Sequence, residues 1–115
     1  MAIPSASGSE VLKSINASIT GAYDLTPGDD HILTILNIIV KNNHSSATHF
    51  DIKVSSDSGS NYHFLIESQQ MGPDTTFAWN EKLVISDNTG RLRIDTNGSD
   101  NLHIMINYID QNWTT

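Results

Sequence analysis

The chain has 115 residues, a length sufficient for one domain with one core. Hydrophobic residues make up 37% of it and charged residues 17%, and this charged fraction is below the roughly 25% of average soluble proteins. Six Lys and Arg residues against thirteen Asp and Glu residues give a net charge of -7, so we expect neither nucleic acid nor an anionic membrane as a partner. The absence of cysteine excludes disulfides, thiolate nucleophiles and zinc sites built on cysteine.

The two ends of the chain differ from its middle. Residues 1–10 are small and polar, and we interpret them as a flexible N-terminal arm. Residues 111–115 form a short polar C-terminal tail. The N-terminus lacks the basic and apolar regions of a signal peptide, and no apolar run is long enough to span a membrane. We therefore expect synthesis in a cytoplasm.

The first half of the chain predicts strands separated by turns. Val11, Ile15 and Ile19 fit one face of either a helix or a strand, and their β-branched character favours the strand. A Thr-Pro-Gly-Asp turn precedes residues 31–41, which are almost continuously apolar and predict a central strand. Residues 48–55 alternate between apolar and polar side chains, as half-buried strands do.

A hairpin follows, with its turn predicted at Asp57-Ser58-Gly59-Ser60. The partner strand is predicted at residues 61–68, and a break follows at Met71-Gly72-Pro73-Asp74. Further short strands are predicted over residues 75–79, 82–86, 91–96 and 102–110. Seven to eight strands separated by Gly, Pro, Asn and Asp turns predict an all-β fold, a single antiparallel β-sandwich or jelly-roll-like domain over residues 11–110.

No motif of a known active site is present. The chain lacks the GxSxG, P-loop and Gly-rich dinucleotide motifs, and most carboxylates lie in turns, where they bond to their own backbone. We therefore predict a protein that is not an enzyme and has no cofactor and no metal. Two weaker hypotheses remain open: a two-histidine site at His49 and His63, and calcium held by loops at Asp29-Asp30 or around Asp57.

Aromatic side chains offer a second kind of site. Trp79, Trp113 and the three tyrosines could form a platform on which sugar rings stack. Trp79 beside Phe77 is more typical of a core or an interface, and Trp113 lies in the polar tail. We name Ile3, Trp79 and Trp113 as interface candidates, and we expect Ile3 or Trp113 to be buried on a neighbouring subunit.

About three quarters of the chain resembles a known family. The resemblance rests on LTPGD (25–29), IIVKN (38–42), FDIKVS (50–55), Tyr62 after the Gly59 turn, KLVISD (82–87), RLRI (91–94) and LHIMINYID (102–110). In these stretches it is similar to the small β-sandwich virion proteins of tailed bacteriophages, and most of all to head decoration (cement) proteins.

The resemblance implies a role in the virion. It implies a capsid decoration protein on the capsid surface that binds the major capsid protein and forms a homotrimer. No catalytic residue is carried over from the family. The alternative is a carbohydrate-binding or receptor-binding β-sandwich module of a tail or fibre protein.

Overall fold

The computed structural model describes residues 9–96 and 102–112, and this part of the chain contains strands and no helix. Nine strands follow one another along the chain: β1 (Ser9–Ile19), β2 (Ala22–Leu25), β3 (His31–Asn42), β4 (Thr48–Ser55), β5 (His63–Met71), β6 (Thr76–Trp79), β7 (Leu83–Ser86), β8 (Arg91–Thr96) and β9 (Leu102–Asn112). They form two antiparallel sheets. Sheet A has the order β1-β9-β3-β6, with β7 also paired to β3, and sheet B has the order β2-β8-β4-β5.

The strand pairs are nested inside one another. The first strand pairs with the last, β2 pairs with β8, β3 pairs with both β6 and β7, and β4 pairs with β5. Folding such a long hairpin onto itself produces the two sheets of a jelly roll. Because β6 and β7 lie one after the other along β3, nine strands fill eight strand positions. The predicted all-β, antiparallel, jelly-roll-like sandwich is confirmed.

The core lies between the two sheets and is almost entirely aliphatic. Alternate residues of the central strands point inward, so one face of each strand is buried. Phe50 packs edge-on against Phe77 with ring centroids 5.3 Å apart. The fully buried large side chains include Phe50, Ile35, Ile38, Ile52, Leu92, Ile94, Leu102 and Ile106.

Some element bounds differ from those that the sequence predicts. β5 continues to Met71, where a break is predicted, and the Met71 side chain belongs to the core. Residues 68–70, just before Met71, are polar, as an edge strand allows. Ser68 has a positive φ of 53°, and its N–H donates to Asp51 Oδ1 at 2.6 Å. Of the predicted arm and tail, Ser9 and Glu10 belong to β1, and residues 111 and 112 belong to β9.

Candidate functional site

The outer face of sheet A, directed away from the core, carries exposed apolar side chains. Leu12 of β1 lies opposite Ile109 of β9, Ile109 lies opposite Thr34 of β3, and Thr34 lies opposite Val84 of β7. Leu12 is 70% exposed and Val84 is 60% exposed. This row therefore crosses the sheet from one edge to the other, over about 14 Å at 4.8 Å per strand spacing.

The β3 strand explains why this face is apolar. Residues 31–41 predict a central strand because seven of the eleven are apolar, a pattern typical of strands covered on both faces. In the structure only the inner residues, such as Ile35, Ile38 and Val40, are fully buried. Ile32 and Ile39 lie on the outer face and outside the core cluster. Nothing in the described part of the chain covers that face.

Polar side chains cross the middle of the same face. Ser14 Oγ donates a hydrogen bond to Asn107 Oδ1 at 2.7 Å, and Asn107 Nδ2 donates to Asn37 Oδ1 at 2.7 Å. The second contact lies at a register shift between Ile35 and Asn37, where β3 carries a bulge against β9. The three side chains satisfy one another across three strands, so the face stays uncharged here.

The charges of the face lie at its two ends. Glu10 lies opposite Gln111, whose Nε2 donates to Glu10 Oε2 at 3.1 Å. At the other end, Lys41 lies opposite His103, and His103 also contacts Ser18 Oγ at 2.9 Å. Glu10 and Lys41 are the charged residues among the described strand residues of this face, and eight residues of β1 separate the two ends, or roughly 27 Å. A depression of about 450 Å³ lies at the His103 end, lined by Asn16, Ile39, Lys41, Asn43, His103, Ile104 and Met105.

The outer face of sheet B has a different chemistry. Arg93 makes a bidentate ion pair with Asp24, with distances of 2.6 Å from Nε to Oδ1 and 3.0 Å from Nη2 to Oδ2. Lys53 Nζ lies 2.6 Å from Asp95 Oδ2. The Tyr62 ring lies 5.1 Å from both Lys53 Nζ and Arg93 Cζ, and these are cation-π distances. This face is therefore charged and internally paired.

Carboxylates elsewhere are held ionised by their neighbours. The hydrogen bonds from Arg93 keep the pKa of Asp24 below its ordinary value. Burial disfavours the charged form of Asp110, but hydrogen bonds from His31 and Lys13 outweigh it and lower the pKa of Asp110. In the β4–β5 turn, hydrogen bonds from Asn61 and Ser55 lower the pKa of Asp57 to about 2.

The two metal hypotheses can be compared with this geometry. His49 lies opposite Gln70 and His63 lies opposite Val54, so the hairpin register separates the two histidines by five residues along β4. They are not brought together. The Asp57 carboxylate accepts hydrogen bonds from Ser55 Oγ, Asn61 N and Asn61 Nδ2 at 2.7–2.9 Å, so it closes its own turn. Within residues 9–96 and 102–112, no three His, Asp or Glu side chains cluster as metal ligands.

The interface candidates have different positions. Trp79 lies opposite Ile38, is partly buried and packs against the core. Ile3 and Trp113 lie outside the described residues. Sequence reasoning missed Leu12 and Val84. The strand predicted at residues 31–41 has apolar residues on both of its faces, and this is the signal that indicates an apolar stretch on the outer face of sheet A.

Among the residues that the structure describes, no helix has the length and apolar character needed to cross a membrane.

The comparisons with known proteins give similarities of structure only. No protein-family model matches the sequence, and no curated protein matches it. The C-terminal family 22 carbohydrate-binding module of Clostridium thermocellum Xyn10B is similar with a TM-score of 0.50 and 13% identity, over 91% of this chain and 85% of that one. A chain from the structure of infectious bursal disease virus, Gx strain, is similar with a TM-score of 0.50 and 8% identity, over 93% of this chain and 33% of that one.

A pentameric capsid protein isolated from metagenomic phage sequences is more distantly similar, with a TM-score of 0.44 and 13% identity over 86% of this chain and 60% of that one. What the two chains at a TM-score of 0.50 share with this protein is the fold. The protein is a β-sandwich module of a kind that occurs in carbohydrate-binding and in viral proteins.

Proposed function

We propose that this protein is a non-enzymatic structural protein of a phage virion, a capsid decoration (cement) protein that binds the lattice of the major capsid protein and stabilises the head. One observation carries the proposal: the jelly roll leaves a nearly uncharged face on sheet A, with the apolar side chains of Leu12 and Val84 exposed at its two edges. Exposed apolar side chains that fall in one row across a sheet, with few charges beside them, are typical of a contact surface. Such a face suits a subunit that is covered in an assembly.

The commitment of the titratable side chains to structural contacts supports a non-enzymatic role. Asp24, Asp57 and Asp110 are each engaged by hydrogen-bond donors that keep them ionised. Two surface cavities among the described residues are lined without any carboxylate. His63 is the titratable residue of a cavity of about 220 Å³, and Lys41 and His103 are the titratable residues of the depression of about 450 Å³. General acid-base catalysis by a carboxylate pair therefore has no site there.

The remaining parts of the proposal concern place and partners. We propose that the protein is made in the host cytoplasm, lies on the capsid surface, and contacts the major capsid protein and further copies of itself. The net charge of -7 disfavours nucleic acid and anionic lipid as partners. The homotrimer implied by the family resemblance stays a prediction that sedimentation can check.

Binding to capsids tests the proposal. The protein is mixed with capsids of the phage that carries the gene, assembled without this chain, and binding is followed by co-sedimentation and by the melting temperature of the capsid. We expect hundreds of bound copies per particle and a more stable head. Leu12→Ser tests the role of the outer face, and Val11→Ser is its matched control, because Val11 is 47% exposed on the opposite face of the same strand. A parent protein that neither binds nor stabilises the capsids would contradict the proposal.

A second candidate function is binding of a carbohydrate at the outer face of sheet B. Phe64 is 49% exposed there, next to Lys53, whose Nζ lies 5.2 Å from the ring centroid. An exposed ring beside hydrogen-bonding groups can stack on a sugar and orient it. Titration with xylohexaose, followed by chemical-shift changes, tests this candidate. A shift that Phe64→Ala abolishes and Val84→Ala leaves intact would support it, and the absence of any shift would remove it for this sugar.

A further inference from the structure

We infer that the outer face of sheet A packs against the same face of a second copy, with the strands of the two copies antiparallel. The Glu10 end of one copy then lies over the Lys41 end of the other. The inference rests on the assembly role proposed above and names the partner of that face, namely a second copy of this chain.

The charge distribution selects this face for contact between copies. Each copy carries a net charge of -7, so two copies repel each other wherever their acidic surfaces meet. The outer face of sheet B carries three acids and three bases, Asp24, Asp51, Asp95, Lys53, Arg91 and Arg93, so covering it would remove six charged groups from water. On the outer face of sheet A, the described strand residues contribute one acid, Glu10, and one base, Lys41. Two copies therefore approach through this face with little repulsion.

The positions of these two charges select the orientation. Glu10 and Lys41 lie at opposite ends of the face, roughly 27 Å apart along the strands. A parallel arrangement would bring like ends together. An antiparallel arrangement brings the acidic end over the basic end, and a two-fold axis repeats that contact at the other end. The face is thus self-complementary in one orientation.

The apolar row supplies the attraction in this arrangement. Leu12 and Val84 lie at the two edges of the face, and both are more than half exposed in the single chain. A second sheet laid over the face covers both residues as well as Ile109 between them. The depression near His103 lies at the end that the partner's acidic end covers.

A charge-swap series tests the inference. Sedimentation velocity over a range of concentrations measures self-association of the parent, Glu10→Lys, Lys41→Glu and the double variant. We expect a reversible dimer for the parent, a loss of affinity of about tenfold or more for each single variant, and recovery to within about threefold of the parent in the double variant. Glu10→Lys is the sharpest arm: it makes the chain less negative, so a general charge effect would strengthen association, whereas this pairing requires it to weaken.

The contribution of the apolar side chains to dimerisation is tested with Leu12→Ser and its control Val11→Ser. Leu12→Ser should weaken the dimer about tenfold and Val11→Ser should leave it unchanged, with circular dichroism melting curves showing that both remain folded. A parent that is monomeric, or a trimer that none of these variants disturbs, would overturn the inference. A monomer that binds capsids and loses that binding on Leu12→Ser would also overturn it, and would leave the proposed function standing. A charge-dependent dimer that binds no capsid would support the inference while the proposed function fails.

Discussion

Asn42 is the residue whose replacement should destabilise the fold most clearly among the polar positions. It ends β3, it is fully buried, and its side chain bonds to two loops. Asn42 Nδ2 donates to Ser46 O at 2.9 Å and to Gly72 O at 3.1 Å, and Asn42 Oδ1 accepts from His44 N at 2.9 Å. One side chain therefore connects the β3–β4 loop to the β5–β6 loop.

The cost of Asn42→Ala follows from the groups that lose this partner. Gly72 O still accepts from Thr75 Oγ1 at 2.7 Å, so the main losses are at Ser46 O and His44 N. A buried polar group that loses its partner costs about 1–3 kcal/mol, and both of these groups are only partly buried. We expect the free energy of unfolding to fall by about 2–3 kcal/mol, which corresponds to a melting temperature about 10 °C lower for a domain of this size.

Urea unfolding followed by circular dichroism measures this effect, with Asn88→Ala as the control, since Asn88 is exposed in the turn after β7. The control should stay within about 0.5 kcal/mol of the parent. If Asn42→Ala also stays within about 0.5 kcal/mol, the bonds that it makes do not hold the two loops and the argument is refuted.

Two further predictions concern a glycine and a carboxylate. A Cβ at Gly90 would lie 2.8 Å from Ser86 O, so Gly90→Ala should lower the melting temperature by several degrees. The control is Gly21→Ala, which should leave the melting temperature unchanged because a Cβ there has open space around it. Equal melting curves for the two variants would refute this prediction. Asp57 has a folded-state pKa of about 2, below the ordinary value of 3.8, so its contribution is present above about pH 4 and is lost as the pH falls toward 2. Urea unfolding at about pH 5 and about pH 2.5 should show a smaller loss of stability for Asp57→Asn than for the parent, and an equal or larger loss would contradict the assignment.

Short-range patterns were sufficient to predict most of the strands. Residues 48–55 and 91–96 form strands over the predicted bounds, because strict alternation of apolar and polar side chains fits one half-buried face. The hairpin turn at residues 57–60 is confirmed, with Gly59 at a φ of 90°. The end of β5 was missed because its stability depends on pairing with β4 rather than on its own polar residues.

The candidate site was harder to predict than the strands. The pairing of β1 with β9 joins residues about a hundred positions apart, and no local pattern specifies it. Only this pairing places Leu12 beside Ile109 and extends the row to the β1 edge of the sheet. Alternation within β1 assigns Val11, Ile15 and Ile19 to one face, but it does not indicate that Leu12 on the other face would lie beside a second apolar residue.

The position of β9 has a consequence for how the chain folds as it is synthesised. β9 lies between β1 and β3, so neither of these early strands has its main partner until residues 102–112 have left the ribosome. Contacts between residues so distant in sequence form slowly, and the strands that wait for them expose unpaired edges. The apolar β3 strand is the segment at greatest risk of aggregation during this interval, and shielding of the nascent chain by chaperones would matter most between the synthesis of β3 and that of β9.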